Sequence, residues 1–367
     1  MSTTTLVTGA AATYDRVFQI LSSFKNMFAF LSPKRPTTAR INGMPISVAP
    51  KETLLQAALR QGVDFPHSCR VGGCATCKCR LLEGRVKELT KTGYVLSEQE
   101  LDLGYILACQ AVPLTDIALE VDLSPRPARR QVGGRVVGQR RLTHDITELR
   151  IQLDAGLDYK AGQFANLSLA PLLDVARSYS FASPAQPDAQ VRFFVRKVPG
   201  GALSTLIDER SVVGERINID GPHGDFWLRA ADAPLMLVAG GSGLAPVLAL
   251  LQDAAQRGVR RSVTLLFGAQ QQRDLYALNE IEALADRWHG LFAFVPVLSA
   301  TQDDGAWHGA RGMVDQHIAP LLQAGSHAYL CGPPAMVDAC AATLQRCGLA
   351  PNQIHADRFT TNGRNVV

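Results

Sequence analysis

Four cysteines stand at a spacing that suits a [2Fe–2S] cluster. Cys69, Cys74 and Cys77 follow the pattern C-x4-C-x2-C, and Cys109 comes 32 positions later. Two irons need four converging thiolates, and three neighbouring cysteines with one distant partner are typical of plant-type clusters. Two glycines between the first two cysteines let the loop turn back on itself, because glycine reaches positive φ without a steric penalty. The spacing therefore predicts that Cys69, Cys74, Cys77 and Cys109 bind an iron–sulfur cluster.

Two other uses of these cysteines stay open. Structural zinc sites usually pair one C-x2–4-C with a second such pair, whereas Cys109 stands alone. Disulfides need an oxidising compartment, and no secretory signal is evident ahead of the cysteine loop, so we expect a cytoplasmic protein. Cys79 lies two positions after Cys77 on a predicted strand. We expect Cys79 to pack beneath the cluster without binding it.

A second group of residues could hold a phosphate and a flat ring. Arg177-Ser-Tyr179-Ser180 offers a cation and an aromatic face, and Val198-Pro-Gly200-Gly201-Ala-Leu-Ser204 opens a helix. The first turn of a helix presents unpaired N–H groups to an anion. Each feature is weak by itself, since an arginine on a strand is usually solvated and Gly-Gly is usually a turn. Together, and downstream of the cysteine loop, they predict a flavin site.

A third group suits a nucleotide. Gly240-Gly-Ser-Gly243 follows an apolar strand and opens a helix, where a pyrophosphate can rest, although it is not a full G-x-G-x-x-G pattern. Cys331-Gly332-Pro333-Pro334 ends another apolar strand. Ligands of parallel sheets bind beyond the carboxyl ends of the strands, so both loops are expected to border one pocket.

Composition limits the class of protein. The 367 residues are 47% hydrophobic and 19% charged, which indicates two or three globular domains. Six arginines and no acid occupy residues 124–141; without aromatic partners on a folded surface they predict a linker and no nucleic-acid site. The uncharged stretch 233–252 is interrupted by glycines and Pro246, so no membrane span is predicted there.

The elements that must position these residues can be followed along the chain. Residues 1–37 contain apolar positions at helical spacing within 14–31. That helix could fold back on the protein, act as an organelle presequence, contact a membrane or dock a partner. The next segment, 38–123, predicts a hairpin through Asn42-Gly43, a helix over 52–62, a strand pair over 79–86, a helical turn capped by Ser97 and a closing strand over 116–121.

Two further domains follow a linker at 124–133. Alternating segments within 134–231, namely 134–138, 146–153, 163–169 and 190–196, predict a small antiparallel barrel. Within 232–367, apolar strands at 235–239, 262–268, 291–297 and 327–331 alternate with helical patterns. That alternation is typical of a parallel α/β sheet.

Taken in order, these motifs resemble those of the ferredoxin–NAD(P)+ reductase superfamily, and most of all the NADH-dependent iron–sulfur flavoprotein reductases of bacterial multicomponent oxygenases. The resemblance covers residues 38–367 and includes Gly221-Pro-His-Gly224-Asp-Phe226. It implies a multidomain fold: a ferredoxin-like α+β (β-grasp) domain, an antiparallel β-barrel flavin domain and an α/β nicotinamide domain. It leaves residues 1–37 unexplained.

The resemblance also implies residue roles. Arg177 and Ser204 are expected on the FAD pyrophosphate, Tyr179 on the flavin ring, and Ser180 near its reactive nitrogen. Ser242 and Cys331 are expected near the nicotinamide, so Ser180 and Cys331 are the candidate catalytic residues; a buried small side chain is the alternative for Cys331. The full expected cofactor-binding set is Arg177, Tyr179, Ser180, Val198, Gly200, Gly201, Ser204, Gly240, Gly241, Ser242, Gly243, Cys331, Gly332, Pro333 and Phe359.

The expected activity is electron transfer from NADH through FAD and the cluster to a separate oxygenase. Arg273 could face a 2′-phosphate, but the neighbouring Asp274 would repel one, which favours NADH over NADPH. A reductase for another acceptor, such as a sugar deoxygenation enzyme, would share all three modules. A zinc-binding module without electron transfer is the third alternative, and visible absorption separates it from the other two.

Overall fold

The computed structural model describes residues 35–67, 70–72, 75–92, 95–96, 98–123, 127–170, 172–300 and 307–359. The chain divides into two compact units, Met1–Ser124 and Pro125–Val367. The helix predicted within residues 14–31 lies outside the described residues. Among the residues described, no helix has the length and apolar character needed to cross a membrane.

The first unit is a mixed five-stranded sheet in the order β2-β1-β7-β3-β5, with a small β4-β6 pair. Its elements are β1 Thr37–Ile41, β2 Met44–Val48, α1 Leu54–Arg60, β3 Lys78–Glu83, β4 Val86–Glu88, α2 Glu98–Asp102, β5 Tyr105–Leu107, β6 Ala111–Pro113 and β7 Ile117–Glu120. The predicted hairpin is confirmed: Ile41 pairs with Met44 across Asn42 and Gly43, both at positive φ. That combination is the two-residue turn whose twist matches the strands. The predicted cap Ser97 lies outside the described residues.

The predicted strand pair over 79–86 is wrong. β3 pairs with β5 and β7, whereas β4 pairs with β6. Gly84 lies at φ +87°, and a Cβ there would collide with the Asp116 carbonyl. The chain therefore packs against residue 116 at this point and crosses to a second sheet, so it does not fold back on β3.

The second unit begins with a six-stranded antiparallel barrel, in the order β11-β10-β13-β8-β9-β12. Its elements are β8 Arg130–Arg141, β9 Ile146–Leu153, β10 Phe164–Leu169, β11 Arg177–Ser180, β12 Gln190–Arg196, α3 Ala202–Glu209 and β13 Arg216–His223. A bridge between Phe181 and Phe193 joins the two outer strands. The barrel is thereby nearly closed, as the alternating pattern predicted.

The predicted linker 124–133 is too long at its carboxyl end. β8 starts at Arg130, where Arg130 pairs with Gly221. Val132 and Val136 point into the barrel core while Arg130 and Arg135 are exposed. The arginines therefore occupy the solvent face of a strand, which composition alone does not distinguish from a linker.

The remainder of the second unit is a parallel sheet in the order β17-β16-β15-β14-β18-β19. Its elements are β14 Leu235–Gly240, α4 Leu244–Gln256, β15 Val263–Ala269, α5 Leu278–Asp286, β16 Phe292–Leu298, β17 Ala310–Arg311, β18 His327–Gly332, α6 Pro334–Arg346 and β19 Ile354–Arg358. The four predicted strands are confirmed within one or two residues. β14, β15 and β18 are almost wholly buried between the helices, as expected for continuous apolar runs.

Candidate cofactor sites

Two of the four expected cluster ligands, Cys77 and Cys109, lie among the described residues. Cys77 immediately precedes β3, and Cys109 lies in the turn between β5 and β6. The Ala108 N–H donates to the Cys77 carbonyl at 3.0 Å, and both cysteines are at least 95% buried. The lone fourth cysteine and the last cysteine of the loop thus lie on directly bonded segments. Cys69 and Cys74 lie outside the described residues.

Gln110 sits between the cysteine loop and Cys109. Its side-chain amide donates to the Cys109 sulfur at 3.6 Å, and its carbonyl oxygen accepts from the Thr90 hydroxyl at 3.2 Å. A Cβ on Gly72 would lie 2.9 Å from Gln110 Cγ, so the loop can approach only because residue 72 is glycine. Sequence analysis missed Gln110; its position directly after the lone cysteine was the available signal.

Cys79 lies in the core of the first unit and is 1% exposed. Burial raises its pKa well above the usual range, and the negative charge of Cys109 adds to the effect. On β3, Cys79 pairs with Ile106 of β5. The arrangement suits cluster binding at Cys77 and Cys109, with Cys79 as a packing residue.

The residues expected to bind flavin lie on β11 and in the segment that follows β12. Because the Phe181–Phe193 bridge is antiparallel, the start of β11 lies beside the end of β12, from which residues 198–204 lead into α3. Arg177 is partly exposed, Tyr179 is half-buried with its pKa raised by burial to about 12, and Ser180 is buried. A cation and an aromatic ring on β11 and a helix start after β12 therefore belong to one barrel, and these groups fit a flavin diphosphate.

The loop before α3 is held by Ser204. Its hydroxyl accepts from the Val198 N–H at 3.1 Å and donates to the Gly201 carbonyl at 3.2 Å. Gly200 lies at φ +74° with open space where a Cβ would be. Ser204 thus shapes, from within the protein, the turn that we expect to bind phosphate.

The nucleotide residues form a cradle of close backbone contacts. β14 lies between β15 and β18, so Gly240 and Cys331 end neighbouring strands at the same sheet edge. A Cβ on Gly243 would collide with the Cys331 carbonyl and lie 2.8 Å from the Gly332 nitrogen. A Cβ on Gly332 would come within 3.1 Å of the Gly240 backbone. Because glycine has no side chain, these segments can approach closely and still leave room for a pyrophosphate at the start of α4.

Cys331 and Phe359 complete this edge. Cys331 is fully buried, which raises its pKa well above the ordinary value, with the charge of Asp357 as a second cause. The thiol is therefore protonated and acts as a small packing or contact group. The Phe359 N–H donates to the Gly332 carbonyl at 2.9 Å, which brings the expected terminal aromatic to the cradle.

Two sets of contacts at this edge of the sheet were not predicted from the sequence. The Tyr276 hydroxyl donates to the Gly241 carbonyl at 2.9 Å, and its ring packs edge-on against Phe194 of the barrel. The Arg192 guanidinium of β12 contacts the Glu280 carboxylate of α5 at 2.6 Å. Both connect the barrel with the parallel sheet, and no local pattern in the sequence signals such long-range pairs.

Family models match all three regions. Residues 39–114 match the 2Fe-2S iron-sulfur cluster binding domain. Residues 134–227 match the oxidoreductase FAD-binding domain, and residues 237–342 match the oxidoreductase NAD-binding domain.

Similar proteins share this organisation over most of their length. The chain is 41% identical to the xylene/toluene monooxygenase electron transfer component of Pseudomonas putida, over 89% of this chain and 94% of the relative. It is 37% identical to the phenol 2-monooxygenase reductase component of Pseudomonas sp. (strain CF600), over 88% of this chain and 94% of that relative. Among solved structures, the Amycolatopsis cytochrome P450 reductase matches with a TM-score of 0.65 and 32% identity, over 88% of this chain and 98% of that one.

Proposed function

This chain belongs to the iron–sulfur flavoprotein reductases that serve as electron-transfer components of multicomponent oxygenases, and on that premise we propose that it carries electrons from NADH to an oxygenase through FAD and a [2Fe–2S] cluster. The observation that carries the proposal is the hydrogen bond between Ala108 and Cys77, which joins the lone cysteine to the cysteine loop in the unit that precedes a flavin barrel.

When bound, FAD takes two electrons at once from a nicotinamide and releases them singly to a one-electron cluster. The residues of this chain supply position and charge. Arg177 and the turn at 198–204 would hold the diphosphate, Tyr179 would pack on the ring, and Ser180 would offer a hydroxyl beside it. The glycine cradle at 240–243 and 332 would seat the nicotinamide dinucleotide, with Ser242 and Cys331 nearest its reactive end.

The preference for NADH is supported by the segment that follows β15. Arg273 has a side chain that is 68% exposed. The carboxylate of Asp274 accepts from the Gln271 N–H at 2.9 Å and lies 3.2 Å from His144. A fixed carboxylate here repels a 2′-phosphate. We expect kcat/KM for NADH to exceed that for NADPH at least tenfold, and equal values would contradict the preference.

The terminal acceptor is proposed to be an oxygenase component, because the relatives are named as parts of mono- and dioxygenase systems. A cytoplasmic location follows from the need to keep the ligand thiols reduced. Contact of residues 14–31 with a membrane stays a proposal, to be tested by vesicle binding of the full chain against a chain that starts at residue 35.

The test uses a cysteine variant. Cys74→Ala should abolish reduction of cytochrome c by NADH while the flavin still reduces ferricyanide, and iron and acid-labile sulfide should fall together. Arg177→Ala should lower FAD content after gel filtration without loss of iron. Equal loss of both activities in Cys74→Ala with FAD still bound, or zinc in place of iron, would exclude the proposed electron route.

A further inference from the structure

A basic and partly apolar surface borders Cys109 in the first unit. It consists of Arg70, Val71, Lys87, Leu89 and Lys91, called here the loop–β4 surface. Val71 is 55% exposed and Leu89 is 52% exposed, and the three cationic residues are exposed as well. Large apolar side chains at half exposure are ordinary when single, but here two stand among three positive charges at the edge of the cluster site.

The two segments of this surface meet at Gln110. A Cβ on Gly72 would lie 2.9 Å from Gln110 Cγ and 3.5 Å from the Thr90 hydroxyl oxygen. The Leu89 N–H donates to the Gln110 carbonyl at 2.8 Å. Residues 70–72 and 87–91 therefore lie next to each other at Gln110, the residue that follows Cys109.

Strand alternation places Lys87 and Leu89 on the same side of the chain. On β4, Val86 packs against the core of the first unit, so Lys87 and Leu89 point the other way. Glu88 is exposed as well, and its carboxylate accepts from the hydroxyl of Thr92 at 3.0 Å. The three cations of the surface therefore outnumber the one acid between the two lysines.

Charge is unevenly distributed along the sequence of the first unit. Residues 70–91 contain six basic and two acidic residues, whereas residues 98–122 contain six acidic and no basic residues. In the fold, however, β3 lies between β5 and β7, where Lys78 pairs with Glu100 at 3.0 Å and Arg80 stands opposite Glu120. The positive charge of the surface therefore comes from the exposed Arg70, Lys87 and Lys91. Such a field steers an oppositely charged partner into a preferred orientation.

We propose that the loop–β4 surface docks the protein electron acceptor, and that the acceptor presents an acidic face with an apolar centre around its own redox group. This rests on the proposed function. Electron-transfer encounters use small interfaces, in which charge sets the association rate and a small apolar contact holds the pair briefly. A second copy of this chain would bring like charges together, which disfavours self-association through this surface.

The experiment uses the full-length holoprotein with two haem proteins of opposite charge, acidic cytochrome b5 and basic cytochrome c, as acceptors. In Lys87→Glu/Lys91→Glu, the second-order rate with cytochrome b5 at low salt should fall about tenfold, and the rate with cytochrome c should rise. The single variant Lys91→Gln should show a smaller change in the same direction. Ferricyanide reduction by the flavin should be unchanged.

Two further variants separate charge from apolar contact. Leu89→Ser should raise KM for cytochrome b5 without changing the salt dependence of the rate. Lys51→Asp is the matched control, because Lys51 is exposed in the same unit, lies outside the surface and has a left-handed φ of 66° that Asp tolerates. It should leave both cytochrome rates as they are.

Three results would overturn the proposal. The first is no change in either cytochrome rate on charge reversal. The second is slower flavin-to-cluster transfer in stopped-flow, which would mean that the surface serves the second unit of the chain. The third is charge-dependent binding to phosphatidylglycerol vesicles with unchanged cytochrome rates, which would make it a membrane surface. A wild-type protein that reduces neither cytochrome would instead contradict the proposed function.

Discussion

With Cys109 as a cluster ligand, as we propose, Gln110 is placed to tune the reduction potential of the cluster. Its amide points at the Cys109 sulfur because the Thr90 hydroxyl holds the other end of the side chain. A hydrogen bond to a ligand sulfur stabilises the more negative, reduced state and so raises the potential. We expect Gln110→Met, which keeps the length and removes the donor, to lower the cluster potential by roughly tens of mV.

An EPR-monitored redox titration measures this shift, with the flavin potential as an internal control. Thr90→Val should give a smaller shift in the same direction, since it releases the amide without removing it. A cluster potential unchanged in both variants would mean that the bond to Cys109 has no electronic effect.

His223 gives the barrel a dependence on pH. It is 7% exposed and stacks on Phe164, and burial lowers its pKa below the usual 6.5, with Asp220 offsetting part of the effect. The unfolded chain therefore binds a proton more readily than the folded one. The contribution of neutral His223 to the stability of the folded chain is present above pH 6.5 and is lost as the pH falls through the lowered pKa.

We expect the melting temperature to decline between pH 6.5 and pH 5, and His223→Gln to reduce that decline. His289→Gln, at an exposed position, is the control and should follow the wild type. The same decline in His223→Gln and the wild type would assign the effect to other groups.

At the scale of elements, Gly243 fixes the distance between the α4 segment and β18. Its neighbours on that side are the backbone of Cys331 and Gly332, which cannot rotate away as a side chain can. We expect Gly243→Ala to cost about 1–3 kcal/mol of stability and to raise KM for NADH about tenfold or more, since 1.4 kcal/mol corresponds to a factor of ten.

Chemical denaturation and steady-state kinetics check both effects. Gly156→Ala is the matched control because no atom lies within 4 Å of its added Cβ. If Gly243→Ala bound NADH normally, the cradle would not be the nucleotide site.

The elements that sequence predicted best are those whose pattern is local. The strands of the parallel sheet are continuous apolar runs, and the first hairpin has an Asn-Gly turn. By contrast, β13 was not predicted, because its short alternation over Arg216–Asp220 runs directly into Gly221-Pro222. The start of β8 was assigned to a linker because its exposed arginines dominate the composition.

The same limit applies to the candidate sites. Cysteine spacing and glycine loops predict ligands that are close in sequence, whereas Gln110, Tyr276 and Glu280 contact partners that only the fold brings near. Tyr276 and Gly241 are separated by 35 positions, and Arg192 and Glu280 by 88. Such pairs follow from topology, and one sequence does not encode them in a readable local pattern.

At the scale of the second unit, Arg192 and Glu280 tie the barrel to the parallel sheet. Glu280 accepts from Arg192 at 2.6 Å and from Gln252 of α4 at 2.5 Å, and the charged side chains are 19% and 27% exposed. A hydrogen bond between charged groups at this burial contributes about 1.5–3 kcal/mol. The pair therefore holds the nicotinamide cradle at a set position relative to the flavin strands.

Hydride transfer is sensitive to that position, because a misplacement of about 1 Å can cost on the order of a hundredfold in rate. We expect Arg192→Met and Glu280→Gln each to slow flavin reduction by NADH in stopped-flow, with FAD content unchanged. The double variant should be little slower than either single one, since both remove the same contact. Asp253→Asn, which breaks the ion pair between Asp253 of α4 and Arg257, with side chains 30% and 56% exposed, should leave the rate unaltered. A lower melting temperature with an unchanged rate would make the Arg192–Glu280 contact a contribution to stability alone, and the relative position of barrel and sheet would then depend on the Phe194–Tyr276 packing.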